Sequence, residues 1–316
     1  MGITFAGDMN RDQLRGHCAI FGANFIWGAM SPIVKFVFAC EFITPLMLVN
    51  FRVVGAALLF WLLTPLFGNE RVPWRDRWLF FGAALLGVVF NQGVYTIGLD
   101  LTSPVDASVI STSTPIFTMV LAAIFLREPL SVKKVGGVLL GATGAVTLIL
   151  SGASGGLGGN ALGDVLCLVA ELSFAFYLVL FKGLISRYSP FTVMKWMFTW
   201  SALCIAPVTL PEVCGLEFGA VPMMVWLALG FAVVFATFVA YLLAPIGQRS
   251  LRPTVVSIYF YTQPVVSAVL AAVMGTAGEF GWLKIVSIAL IFIGVGLVMK
   301  SKARGQDIGV GGGVSQ

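Results

Sequence analysis

Apolar residues run along this 316-residue chain in stretches of about twenty, separated by short segments that hold nearly all of its charge. A helix rises 1.5 Å per residue, so roughly 20 residues cross a hydrocarbon layer of about 30 Å. The pattern predicts an all-α integral membrane protein with ten transmembrane helices, at 17–39, 44–67, 76–99, 105–126, 131–150, 162–183, 189–210, 221–247, 254–276 and 281–299. Connections between these stretches are short, so no soluble domain is expected.

The spans fall into two similar halves. A shift of 147 lays Gly16 on Gly163, Ala23 on Ala170 and Lys35 on Lys182. A shift of 149 lays Pro104 on Pro253, Ser108 on Ser257, Pro115 on Pro264 and Thr118 on Ser267, and one of 150 lays Gly144 on Gly294. A drift of a few residues is what loops of slightly different length produce in a duplicated gene. The expected organisation is a tail at 1–16, a repeat of five spans at 17–150, a Gly-rich linker at 151–162, a second repeat at 163–299 and a tail at 300–316. Five is odd, so the second copy enters the membrane inverted, the layout of a secondary transporter working by alternating access.

Composition agrees, with 59% hydrophobic and 10% charged residues, where soluble domains carry about 25% charge. The net charge of +5 is one-sided. One membrane face receives Arg11, Arg15, Arg71, Arg75, Arg77, Arg127, Lys133, Lys134, Lys182, Arg187, Arg249, Arg252, Lys300, Lys302 and Arg304, while the other receives only Lys284. That bias orients the chain with both termini cytoplasmic in a plasma or inner membrane. It does not form a nucleic-acid patch. Residues 1–16 mix both charge signs without an apolar run, so no cleaved signal is expected.

Candidate chemistry outside the polar stripes is thin. Cys18, Cys40, Cys167, Cys204 and Cys214 form no CxxC pair, and the single histidine, His17, has no metal-ligand neighbourhood, so neither a metal nor a cofactor is expected. Cys40 and Cys214 both fall near the outer surface, but all five thiols read as small apolar residues. Gly152-Ala153-Ser154-Gly155-Gly156 matches GxSxG only by chance, because a nucleophile elbow needs a strand before it and a helix after it. An intramembrane enzyme is disfavoured, and so is a scaffold that transports nothing.

Polar residues inside the spans are the informative ones. Ser108, Ser111, Thr112, Pro115 and Thr118 recur at intervals of three or four on one face of the fourth span, and Ser257, Tyr261, Pro264 and Ser267 repeat the pattern in the ninth. Each proline sits near mid-membrane and frees the carbonyl four residues back, at Ser111 and at Phe260. Paired interruptions of this kind point to a substrate cavity; isolated Ser or Thr would merely satisfy neighbouring backbone. Asn91, Gln92 and Tyr95 interrupt the third span, and Tyr241 falls on the position matching Gln92. Asn24 and Trp27 match Glu171 and Phe174, with Tyr177 close by. Gln263 completes the set beside Pro264. Trp61, Trp74, Trp78, Trp226 and Trp282 lie near span ends and read as interface anchors.

Glu171 is the most costly of these, about 14 Å deep, where an acid costs roughly 3 kcal/mol to insert. Two explanations stand: a carboxylate that titrates or binds a substrate amine, or a fixed ion pair with Lys195. Arg52 suits a substrate carboxylate, or a partnership with Asp106 or Glu41 at the same surface. Lys35 and Lys182, near span ends, should snorkel. The fifth and tenth spans carry Gly137, Gly141 and Gly144, then Gly294 and Gly296; the GxxxG pair Gly137/Gly141 permits close contact, either within the bundle or with another subunit.

Asn24 with Trp27-Gly28, Arg52, Thr114-Pro115, Leu126-Arg127-Glu128, Phe174-Ala175-Phe176-Tyr177, Gln263-Pro264 and Glu279 together resemble the EamA branch of the drug/metabolite transporter superfamily. The resemblance covers essentially residues 17–300. It implies ten helices in two inverted repeats, a central cavity lined by the first, third, fourth, sixth, eighth and ninth of them, and export of amino acids or other small metabolites. An acid at Glu171 departs from the branch's usual pattern, so the resemblance assigns it no coupling role. The expected partners are a small-molecule substrate and the lipid bilayer, with proton coupling and a homodimer both compatible with the sequence. A lipid-linked or nucleotide-sugar carrier is the alternative within transport.

Overall fold

The computed structural model describes residues 11–68, 70–101, 110–152, 161–273 and 282–300, and every regular element within them is a helix. Six helices among the described residues are long and apolar enough to cross a membrane: Pro45–Leu62, Trp74–Gly98, Ala161–Leu180, Pro190–Cys214, Met223–Ser250 and Pro253–Leu270. Thr114–Phe125 and Ile285–Met299 are shorter apolar helices, while Arg11–Ala39 and Val132–Gly152 add two long ones. This is the architecture of a multi-pass membrane protein, since in lipid a helix satisfies its own backbone. Ser108, Pro104, Asp106, Glu279 and most of the Gly-rich linker lie outside the described residues.

Helix limits depart from the hydropathy pattern for local reasons. The first helix begins at Arg11 rather than residue 17, because a helical turn standing in water leaves no apolar signature. The second ends at Leu62, before a separate turn at Thr64–Phe67 with proline in its first turn, as Pro65 has no N–H with which to continue the ladder. The sixth stops at Leu180 and a short helix restarts at Lys182. Helix starts are marked by capping: Thr44 accepts from the Met47 N–H and Ser189 from the Thr192 N–H, each followed by proline at the first helical position.

Two helices widen into π geometry, at Leu85–Val94 and at Val234–Val239. Their first residues are superposed by the 149-residue shift. Two others break near mid-length. The turn at Thr112 and Ser113 precedes Thr114–Phe125, and a 3₁₀ segment at Tyr259–Tyr261 divides Pro253–Ile258 from Thr262–Val273.

The tightest seam joins Val132–Gly152 to Trp282–Met299. A Cβ placed on Gly137 would sit 2.7 Å from the Gly294 carbonyl oxygen, and one on Gly144 would sit 2.7 Å from that of Ser287. The GxxxG pair is therefore occupied within the chain, and a homodimer would have to use another face. On the face that carries the basic loops, Lys182 does not snorkel: its ammonium donates to the carbonyls of Arg249 at 3.0 Å, Leu251 at 2.6 Å and Gln248, covering the end of the Ala240–Ser250 helix. Buried Lys134 pairs with Glu128 at 2.8 Å, which also accepts from Thr254 at 3.0 Å, and Asp76 is held by Tyr188 and by Arg187 at 3.4 Å.

Candidate functional site

Where the broken and widened helices meet, their polar side chains bond one another. Ser111 and Thr114, flanking the break before Pro115, both donate to the Glu171 carboxylate, the former at 2.9 Å. Ser111 also reaches the Tyr95 hydroxyl at 3.2 Å. The Ser111 carbonyl, freed by Pro115, lies 3.1 Å from the Thr114 hydroxyl and competes with the Glu171 carboxylate for its one proton. The Asn91 amide reaches the Ala170 carbonyl at 3.4 Å, tying the first π segment to the Glu171 helix.

On the opposite side the Gln263 amide donates to the Asn24 side-chain oxygen at 2.8 Å, while Asn24 donates to the Ile20 carbonyl. The 147- and 149-residue shifts that carry Asn24 onto Glu171 and Thr114 onto Gln263 thus relate two bonded pairs, one neutral and one containing an acid. Two more bonds join positions that the 149 shift superposes: the Gln92 amide donates to the Tyr241 hydroxyl at 2.7 Å, and the Tyr261 hydroxyl to the Thr112 carbonyl at 3.2 Å.

Aromatic rings close the band on itself. Trp27 stands edge-on to Tyr241 with centroids 5.2 Å apart, stacks on Phe260 at 6.0 Å, and donates its indole N–H to the Ala236 carbonyl in the second π segment. Asn24, Gln92, Glu171, Tyr241 and Tyr261 are buried, with Trp27, Asn91, Tyr95 and Gln263 half-buried. Burying so many polar groups is tolerable only because nearly all are bonded. Gln92 Oε1 is an exception, without a donor among the described residues, as are the buried hydroxyls of Ser113 and Thr118 on the broken helix.

Arg52 is nine-tenths buried, and its Nε donates to the Thr237 hydroxyl at 2.9 Å. It forms no ion pair with Glu41, and Asp106, the other expected partner, lies outside the described residues. The Tyr241 hydroxyl, which accepts from Gln92, belongs to the same helix run as Thr237, the partner of Arg52. The expected pair of Glu171 with Lys195 is not formed. The Lys195 ammonium instead lies 4.9 Å from the centre of the Trp61 ring, because depth along a helix does not fix the direction in which a residue faces.

Tyr177 and Ser257 lie off the band. Tyr177 donates to the Gln248 side chain at 2.9 Å, nearer the basic face. Ser257 is fully buried and donates to the Thr254 carbonyl of its own helix at 3.1 Å. Ser108 lies outside the described residues. Thr114 and Thr237 were not among the candidates; Thr114 could have been found, since it continues the Ser111–Thr118 stripe, whereas no pattern singles out Thr237.

The model of the EamA-like transporter family matches residues 14–150 and again 161–300. Among curated relatives, an uncharacterised transporter of Archaeoglobus fulgidus is 25% identical over 87% of this chain and 95% of its own length. The uncharacterised inner membrane transporter YedA of Escherichia coli is 25% identical over 88% of this chain and 90% of its own. A solved crystal structure sharing 20% identity superposes with a TM-score of 0.73 over 89% of this chain and 95% of the other, a likeness of fold.

Proposed function

The chain belongs to the EamA-like transporter family, and from that premise we propose that it exports a small zwitterionic metabolite, such as an amino acid, by alternating access. The single observation that carries the substrate class is a buried arginine and a buried acid on helices joined by one polar band, Arg52 held by Thr237 and Glu171 by Ser111 and Thr114. In a low-dielectric site these charges match the carboxylate and the ammonium of one solute. Tyr241, and the unpaired oxygen of Gln92 beside it, offer further polar contacts between the two.

The ten-helix, inverted-repeat reading is supported by the family model matching twice and by the π segments and bonded pairs that share the 149-residue shift. Rocking of one half against the other would then expose the band to each side in turn.

Counterflow in proteoliposomes tests the substrate. Vesicles loaded with pooled amino acids should exchange labelled amino acid at least about tenfold faster than empty vesicles, and Arg52→Gln should remove most of that exchange. Exchange of nucleotide sugars or lipid-linked sugars instead would replace the proposal with its rival. Orientation is tested separately. The one-sided basic loops support a topology with position 75 inside and position 160 outside, so an impermeant thiol reagent added to intact cells should label a cysteine at 160 and spare one at 75. The reverse pattern would overturn the topology.

A further inference from the structure

A second polar site lies away from the buried band, on the face that carries the basic loops. A cleft of about 580 Å³ opens there between the end of Pro45–Leu62, the segment leading into Trp74–Ala84, and the start of Pro190–Cys214. Arg71, Arg77, Trp61 and Trp196 line it, together with Glu70. The guanidinium of Arg77 lies over the Trp196 ring, 4.8 Å from its centre, and 5.9 Å from that of Trp74. Its Nε donates to the Val72 carbonyl at 3.2 Å. That leaves the two terminal nitrogens of a held, flat cation without an acid: neither Arg71 nor Arg77 has a carboxylate within ion-pairing distance among the described residues.

The one acid at the cleft is engaged elsewhere. Glu70 accepts from both the backbone N–H and the hydroxyl of Ser189, at 3.0 and 2.9 Å. The Trp196 indole N–H, buried at the wall, has no acceptor among the described residues. Beside the cleft the surface turns apolar, with Trp61 47% and Leu62 74% exposed. A positive, aromatic-walled recess bordering an apolar flank, at the depth where tryptophans anchor a membrane protein, fits a ligand with an anionic head and an apolar tail.

We propose that this cleft binds the phosphodiester of an anionic phospholipid, with Arg71 and Arg77 on the phosphate oxygens and the acyl chains along Trp61 and Leu62. Arginine is suited to this work, because its planar fork meets two phosphate oxygens at once while its face remains stacked on indole. The basic pair selects for net negative charge, so phosphatidylglycerol should bind and phosphatidylcholine, whose choline cancels the phosphate, should bind far less.

Native mass spectrometry of the purified, delipidated protein, titrated with each lipid, tests this. Wild type should retain phosphatidylglycerol at least about tenfold more strongly than phosphatidylcholine, and Arg71→Gln/Arg77→Gln should erase the difference. Arg77→Lys, which keeps charge but not the fork, should fall between, and Arg127→Gln, also on the basic face, should behave as wild type. If the double variant does not fold, Arg71→Gln alone, at an exposed position, must still weaken phosphatidylglycerol retention. Equal retention of the two lipids by wild type, or unchanged preference in the variants, overturns the proposal. So does displacement of the lipid by millimolar inorganic phosphate or glycerol phosphate, which would identify a site for soluble phosphate.

Discussion

Gly294→Val is expected to yield a protein that unfolds at a markedly lower temperature in detergent or fails to accumulate, whereas Gly296→Val, on the same helix, behaves as wild type. A Cβ at position 294 would lie 2.6 Å from the Gly137 carbonyl oxygen and 2.7 Å from the Gly141 amide nitrogen. Both are backbone atoms inside a helix and cannot swing aside, so Val132–Gly152 and Trp282–Met299 would have to part along their length. Overpacking of a filled core costs typically 1–3 kcal/mol, and rigid backbone on both sides puts this case at about 3 kcal/mol or above. Nothing lies within 4 Å of a Cβ at Gly296, and a change into open space should stay within about 0.5 kcal/mol. Thermal melts followed by intrinsic fluorescence decide it; equal melting points would mean that the seam is looser than its geometry requires.

Glu171→Gln is expected to have the opposite profile, a folded protein that has lost transport. Glutamine keeps the shape and still accepts from Ser111 or Thr114, so the melting point should change little. A hydrogen bond to a charged group contributes roughly 1.5–3 kcal/mol, and losing that contact to a substrate ammonium lowers exchange by roughly 10- to 100-fold. The effect should vanish for a solute without an amine, which separates a binding role from general damage. Full exchange of amino acids by Glu171→Gln would remove the carboxylate from the site. Because Lys195 lies over Trp61 rather than against Glu171, Lys195→Met should not rescue the variant, as it would if the two formed a fixed pair.

Much of the buried band was legible in the sequence because duplication writes each important position twice. The shifts that aligned Gln92 with Tyr241, and Asn24 with Glu171, named residues that the fold brings into bonded pairs. What remained hidden has a geometric cause. Hydropathy reports depth, so Glu171 stood out as costly and Lys195 as a residue that could reach it, but whether they face each other depends on rotation about two helix axes. The π segments at Leu85–Val94 and Val234–Val239 carry no compositional mark, yet each shifts the phase of its helix, and Arg52 meets Thr237 in one of them. The stripe in the ninth helix does not show how a hydroxyl is used: that of Ser257 turns back onto its own helix.

The two related hydrogen-bonded pairs, Gln263 with Asn24 and Thr114 with Glu171, have a consequence for the resting state. If the halves are inverted copies, a carrier with identical halves would have two conformations related by a two-fold rotation, equal in energy, and would idle evenly between the faces of the membrane. Here one pair is amide on amide and the other hydroxyl on carboxylate. The two pairs therefore cannot contribute equally to the two conformations, and this difference is one source of a preferred side for the empty protein.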